Sequence, residues 1–213
     1  MKTKPLEYQS NSEHTIICHN TTALKASHPE VRKLKRHSAA QSAHGNKIWR
    51  SSFVLIDYLS TYPPELEATI LEVGCGWGLT GIYLAKHYAA NVTALDIDGT
   101  VEPFLRLQAL ENNADVTFQL GDFARLKVTD LESYDTIIGA DICFWDDLVE
   151  PLYDFIKLSL SAGVNRIIIA DPGRPPFWAL CDIAVEHLNG EVLTRRIDKP
   201  RKTEKFILSI ERK

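Results

Sequence analysis

The stretch Glu72-Val73-Gly74-Cys75-Gly76-Trp77-Gly78 constrains the fold more than any other part of this chain. It follows the apolar run Ala68-Thr69-Ile70-Leu71 and precedes a helical pattern from Leu79 to Tyr88, so a strand turns through a glycine-rich loop into a helix. Glycines serve where backbone must bend sharply and lie against a ligand with no Cβ in the way. The start of a helix adds unpaired N–H donors. Together these make a cradle for a nucleotide-type cofactor.

The strand and helix pattern continues on both sides of the loop. Ile48, Trp49, Phe53, Val54, Ile56 and Leu59 recur at roughly helical spacing and stop before Pro63-Pro64. Strands are expected at Asn91–Asp96, Val116–Leu120, Tyr134–Gly139 and Arg166–Ala170, with helices at Val101–Asn112, about Asp147–Leu160 and about Pro176–Leu188. The near-continuous apolar character of Arg166–Ala170 suits a buried parallel strand. Two further strand-like runs, Glu191–Ile197 and Lys205–Ile210, are joined by a link too short for a crossover helix, so they must pair antiparallel. The expected fold is a doubly wound, Rossmann-like α/β sheet of seven strands, mostly parallel with an antiparallel C-terminal strand and helices on both faces.

The 213 residues fit one such domain, at 47–213, preceded by a basic arm or cap at 1–46. Through Arg50 the chain carries nine Lys/Arg against three Asp/Glu, and the remainder fifteen against twenty-five. The acidic body argues against a general nucleic-acid binder, because phosphate contacts need local positive charge. The basic piece Val31–His37 lacks interleaved aromatics and reads as a solvated lead-in, and Thr15–Cys18 as an edge strand. No stretch approaches 18 consecutive apolar residues, so a soluble, cytoplasmic protein without a membrane segment is expected. Cys18, Cys75, Cys143 and Cys181 are scattered without C-x-x-C pairing and read as buried free thiols. His14, His19, His28, His37 and His44 lack regular ligand spacing, and no metal site is expected.

Two registers compete for the loop. Gly76-Trp77-Gly78-Leu79-Thr80-Gly81 satisfies a dinucleotide fingerprint, with Asp96 about 20 residues beyond Gly76 as the ribose carboxylate. That fingerprint wants its first glycine directly after the strand, and from Gly74 the register fails because Leu79 stands where the third glycine belongs. Glu72 followed by Gly74, Gly76 and Gly78 instead resembles motif I of the class I S-adenosylmethionine methyltransferases. A carboxylate at Glu72 suits a cofactor bearing an ammonium and a sulfonium and would repel a pyrophosphate. The C-terminal hairpin is also a trait of that family.

The resemblance implies S-adenosylmethionine as cofactor. Glu72, Gly74, Gly76 and Gly78 would hold it, with Asp96 on the ribose hydroxyls and Asp122 and Phe123 of Gly121-Asp122-Phe123 at the adenine. Asp98 is better placed to cap the helix that follows. At the methyl end, Gly139-Ala140-Asp141-Ile142-Cys143-Phe144-Trp145 resembles the D-x-x-Y/F element of the seven-β-strand family, which includes many protein-lysine methyltransferases. This implies Ala140 beside the cofactor and Asp141, Phe144 and Trp145 at the acceptor. Trp49, in Ile48-Trp49-Arg50-Ser51-Ser52, resembles the tryptophan-bearing segment before motif I. Asp171-Pro172-Gly173-Arg174 resembles a signature of the group that includes the lysine methyltransferase of the electron-transfer flavoprotein β subunit. Trp49, Trp77, Trp145 and Trp178 all fall in motif segments and would wall a site for a cationic side chain. A protein-lysine N-methyltransferase with a protein partner is the leading expectation. A small-molecule N- or O-methyltransferase, an NAD-dependent oxidoreductase and a non-catalytic cofactor-binding scaffold stay open.

Overall fold

The computed structural model describes residues 9–37, 47–198 and 202–212. The expectations for His44 and for the end of the 1–46 segment lie outside these residues. The described residues begin with a three-stranded antiparallel sheet of β1 (Gln9–Ser12), β2 (Thr15–Cys18) and β3 (Thr21–Leu24), followed by helix α1 (Pro29–His37). Thr15–Cys18 is therefore the middle strand of a small sheet and not an edge. The basic piece Val31–His37 is helical and docked: Val31 is fully buried with Leu24, Trp77 and Phe104, while Arg32, Lys33 and Arg36 face solvent. Two apolar residues, Val31 and Leu34, suffice to seat this short helix, which is why its charges dominate its sequence.

Side chains from a later helix hold β3. Gln108 accepts from Leu24 N–H and donates to Leu24 C=O, both at 2.9 Å, and Asn112 accepts from Thr22 N–H and donates to Thr22 C=O, both at 2.8 Å. Both amides are buried. They satisfy backbone groups on the edge of β3 that faces away from β2, which burial would otherwise leave unpaired at a cost of about 1–3 kcal/mol each.

Helix α2 (Arg50–Thr61) then leads into the main sheet. Its elements follow in the order β4 (Thr69–Val73), α3 (Leu79–Tyr88), β5 (Asn91–Asp96), α4 (Glu102–Asn112), β6 (Thr117–Leu120), α5 (Val128–Leu131), β7 (Thr136–Ala140), α6 (Val149–Ser161), β8 (Arg166–Asp171), α7 (Pro175–Leu188), β9 (Glu191–Ile197) and β10 (Thr203–Glu211). The seven strands lie in the order β6-β5-β4-β7-β8-β10-β9, with β10 antiparallel to both β8 and β9 and the other pairings parallel. The expected Rossmann-like sheet with its antiparallel C-terminal strand is what forms.

Alternate strand residues serve opposite cores. Ile70, Val92, Ile138 and Ile168 pack with α2 and α3, whereas Leu71, Leu95, Ile137 and Ile167 pack with α6 and α7. This two-sided burial explains why the central strands read as continuous apolar runs. Strand order reverses between β4 and β7, and at such a switch point the loops leaving the carboxyl ends part to form a crevice. The loops after β4, β5, β6, β7 and β8 all emerge there. All four cysteines are buried thiols. Among the described residues there is no cluster of three or more His, Cys, Asp or Glu able to hold a metal, and no helix is long and apolar enough to cross a membrane.

Candidate functional site

The loop from β4 to α3 runs through three left-handed glycines, Gly74, Gly76 and Gly78, with φ of 59°, 53° and 67°. A side chain at any of them would be strained. Cys75 N–H donates to Leu95 C=O at 3.1 Å, which ties the loop to the end of β5. Glu72 turns its carboxylate under α3 and accepts from Gly81 N–H at 3.0 Å. A Cβ on Gly81 would meet that carboxylate oxygen at 2.6 Å, so Gly81 is a glycine because the acid occupies its space. The apparent dinucleotide fingerprint ending at Gly81 thus has another physical origin. Glu72 is only 3% exposed, and burial pushes its carboxyl up to about 8.

Asp96 closes β5 with each oxygen accepting one backbone N–H, Oδ2 from Gly76 at 2.8 Å and Oδ1 from Asp98 at 2.9 Å. Each oxygen keeps a second lone pair, so the carboxylate is oriented yet still able to accept from a diol. Burial raises its pKa, against the pull of these two bonds. Asp98 accepts from Thr100 N–H at 2.9 Å and caps the turn before α4. After β6, Asp122 accepts from Ala124 N–H at 2.9 Å and caps the next turn, and the Phe123 ring packs 5.4 Å from Phe155.

At the end of β7 the backbone turns at Asp141, a non-glycine residue with φ of 59°. Its carboxylate is 4% exposed and oriented by one bond to each oxygen: Oδ2 accepts from Ser51 N–H at 3.2 Å, and Oδ1 from Arg174 Nη2 at 2.8 Å. Arg174 Nη1 donates to Asp171 Oδ2 at 2.7 Å, so one guanidinium joins two buried carboxylates. The same guanidinium lies 4.2 Å from the centre of the Phe144 ring, which stands edge-on to Trp49 at 5.4 Å.

Most of these groups line a cavity of about 540 Å³ at the switch point. Trp49, Glu72, Gly74, Gly76, Gly78, Asp96, Asp122, Phe123, Ala140, Asp141 and Phe144 all line it. Trp145 does not; it is 57% exposed outside the wall that Phe144 forms. Of the other tryptophans, Trp77 also touches the cavity but is buried in a stack 5.0 Å from Phe104, and Trp178 packs 4.6 Å from Phe206, away from the cavity.

The fit to S-adenosylmethionine rests on this chain's own atoms. A Cβ built on Gly76 would project into open space, so that backbone face is bare to the cavity. Carboxyl groups stand at Glu72 and Asp96, and the Trp49 and Phe144 rings share the lining. The volume lies within the range of about 300–1,000 Å³ usual for small-molecule sites.

Residues 29–174 match the family model described as lysine methyltransferase. The chain belongs to the lysine methyltransferase family. Among its relatives, the electron transfer flavoprotein beta subunit lysine methyltransferase of Rattus norvegicus is 28% identical over 134 residues, covering 61% of this chain and 50% of that protein. The Homo sapiens protein of the same name is likewise 28% identical over 134 residues, 61% of this chain and 49% of that one. This chain therefore spans about half the length of these curated relatives. The crystal structure of precorrin-6y C5,15-methyltransferase from Geobacter metallireducens superposes with a TM-score of 0.61 at 14% identity, over 82% of this chain and 94% of that one. The fold is thus that of the S-adenosylmethionine-dependent methyltransferases, and the dinucleotide reading of the loop falls.

Several cavity residues of this family member were not legible in its sequence. Lys47, Ile97, Leu148 and Pro151 line the cavity without belonging to a recognisable pattern, and Ser52 and Cys75 do so from within motif segments whose pattern gave them no role. Leu148 and Pro151 come from the start of α6, where proximity to Phe144 was the available signal. Arg174, which is not part of the lining, was visible only within a short signature; its partner Asp171 lies in that signature three residues before it, whereas Asp141, 33 residues away, could not be read from spacing.

Proposed function

We propose that this chain transfers a methyl group from S-adenosylmethionine to the ε-amino group of a lysine in a protein. The observation that carries the reading is a cavity whose wall combines the Glu72 and Asp96 carboxyl groups with the Trp49 and Phe144 rings and Asp141. Glu72 and the Gly74–Gly78 backbone would face the cofactor's amino acid end, Asp96 its ribose, and Asp122 and Phe123 its adenine. When bound, the cofactor supplies an electrophilic methyl on a sulfonium.

What remains for the protein is positioning and exclusion of water. A lysine ammonium, with a reference pKa near 10.4, has no lone pair until it loses a proton. Aromatic walls disfavour the charged form by desolvation and hold the chain's methylenes. Asp141 anchors this end of the cavity. Each of its oxygens accepts one bond and keeps a second lone pair, so it can orient the amine and receive or relay the proton that the amine gives up. The family match and the relatives' printed substrate support a protein acceptor.

Incubating the protein with radiolabelled S-adenosylmethionine in a cell lysate, followed by mass spectrometry of the labelled species, tests the reading. Methyl groups on lysine in one or a few proteins are expected. Label confined to small molecules would replace the lysine reading with the small-molecule one, and binding of S-adenosylhomocysteine without any labelled species would mark a non-catalytic scaffold.

A further inference from the structure

We propose that Arg174 is a positioning residue for the acceptor end of the cavity, acting through Asp141 and Phe144 without touching either substrate. This rests on the methyl-transfer reading above and adds a group to it. Asp171 prepares the arginine first. Its Oδ1 accepts from Gly173 N–H at 2.9 Å and from Arg174 N–H at 3.0 Å, which fixes the backbone just before α7, and its Oδ2 takes Nη1. The side chain then reaches from the end of β8 to the end of β7, where Nη2 holds Asp141.

Asp141 needs holding. Its left-handed backbone is unfavourable for a residue with a side chain and persists only where the surroundings over-determine it. Three bonds do so here, from its own N–H to Ala170 C=O at 2.8 Å and from its carboxylate to Ser51 and Arg174. The turn made at Asp141 decides where Phe144, three residues on, comes to rest. The guanidinium plane meets the Phe144 ring from one side and Trp49 meets it from another, so the ring is clamped.

Only arginine meets all three demands. Its fork serves two carboxylates at once and its flat, weakly hydrated face stacks on an aromatic ring, whereas a lysine offers a point charge with no face. Both carboxylates are almost fully buried while Arg174 keeps 21% of its side chain exposed. The bridge is thus reached from the surface and not sealed inside the core. It lies at the methyl end of the cavity, whereas Glu72 and Asp96 serve the cofactor from other strands. Losing the clamp should therefore affect acceptor alignment and leave cofactor binding intact.

The test is a double-mutant cycle on turnover with Arg174→Lys, Phe144→Leu and the pair, using whichever acceptor the lysate experiment labels. The measured quantities are the rate at saturating S-adenosylmethionine, the KM for S-adenosylmethionine and the Kd for S-adenosylhomocysteine. Misplacement of about 1 Å costs on the order of 100-fold in rate, so Arg174→Lys is expected to lose about that much turnover with KM and Kd within about twofold of the parent. In the Phe144→Leu background the same change is expected to cost less than about fivefold, because the ring it positions is gone. Arg174→Gln, neutral but able to hydrogen-bond, serves as a second variant if Arg174→Lys does not fold. Independent, multiplicative losses would overturn the proposal, as would a loss of S-adenosylhomocysteine affinity parallel to the loss of turnover. If the labelled residue is not lysine, the function proposed above fails while the cycle, run on that acceptor, still decides the role of Arg174.

Discussion

Replacing Glu72 by glutamine should make the cofactor-free protein more stable, by an amount that grows with pH. The carboxyl is 3% exposed beneath α3, and burial lifts its pKa from 4.5 to about 8. Between those values the folded chain holds a proton that the unfolded chain has released, so stability falls as pH rises through this window. At about 1.4 kcal/mol per pH unit, the displacement is worth about 3 kcal/mol at pH 7 and approaches about 5 kcal/mol above pH 8. Glutamine keeps an acceptor for Gly81 N–H and cannot ionise. Urea unfolding of the two proteins from pH 5 to pH 9 should show the stability gap widening by about 4 kcal/mol in favour of the variant. Groups remote from Glu72 titrate alike in both proteins and cancel in the difference, while Asp96 and Cys75 are its charge neighbours. With S-adenosylhomocysteine the gap should narrow, because the ligand's ammonium would favour loss of the Glu72 proton and glutamine cannot ionise. A gap that stays constant with pH would refute the argument, since it would mean that the carboxyl is not held protonated by burial.

Other expectations concern the ribose acid, the loop and the docked sheet. Asp96→Ala should weaken S-adenosylhomocysteine at least tenfold by calorimetry, because hydrogen bonds to a charged group are worth about 1.5–3 kcal/mol each. Gly76→Ala should cost only the left-handed strain of about 1–2 kcal/mol. Gly74→Ala should cost more, because its Cβ would also meet the Ile142 side chain at 2.6 Å; thermal unfolding of the two variants ranks them. Gln108→Leu should leave the buried N–H and C=O of Leu24 unpaired, destabilising the N-terminal sheet by about 2–4 kcal/mol, read as faster hydrogen exchange at Leu24.

The central sheet and the cofactor end of the cavity were legible because their signals are local. Asn91–Asp96 and Leu79–Tyr88 form with the expected limits, each bounded by a loop residue of distinct chemistry. Asp96 and Asp98 differ by two positions in chain and take the separate tasks that their places at the strand end and the helix start suggested. Of the N-terminal sheet only the strand Thr15–Cys18 was legible, since β1 is polar and β3 is secured by amides 84 and 90 residues away. Trp77 carries a different lesson. It sits in the glycine loop, yet most of its ring is spent on Phe104 and α1, because the left-handed backbone on either side turns it inward. Proximity in sequence to a motif does not say which way a side chain points.

Gln108 and Asn112 also act as a gauge of register. One helical turn separates them, about 6 Å along the axis, and about 6.6 Å separates Thr22 from Leu24 along a strand, so a four-residue step on one element matches a two-residue step on the other. In an antiparallel pair, successive residues turn their backbone groups to opposite sides, and Thr21 and Ala23 address β2. Sliding β3 by a single residue would present no backbone partner to either amide and would also turn the strand's side chains over. The joint therefore admits this segment in one alignment, and it withdraws from solvent the strand edge on which a foreign chain could otherwise pair.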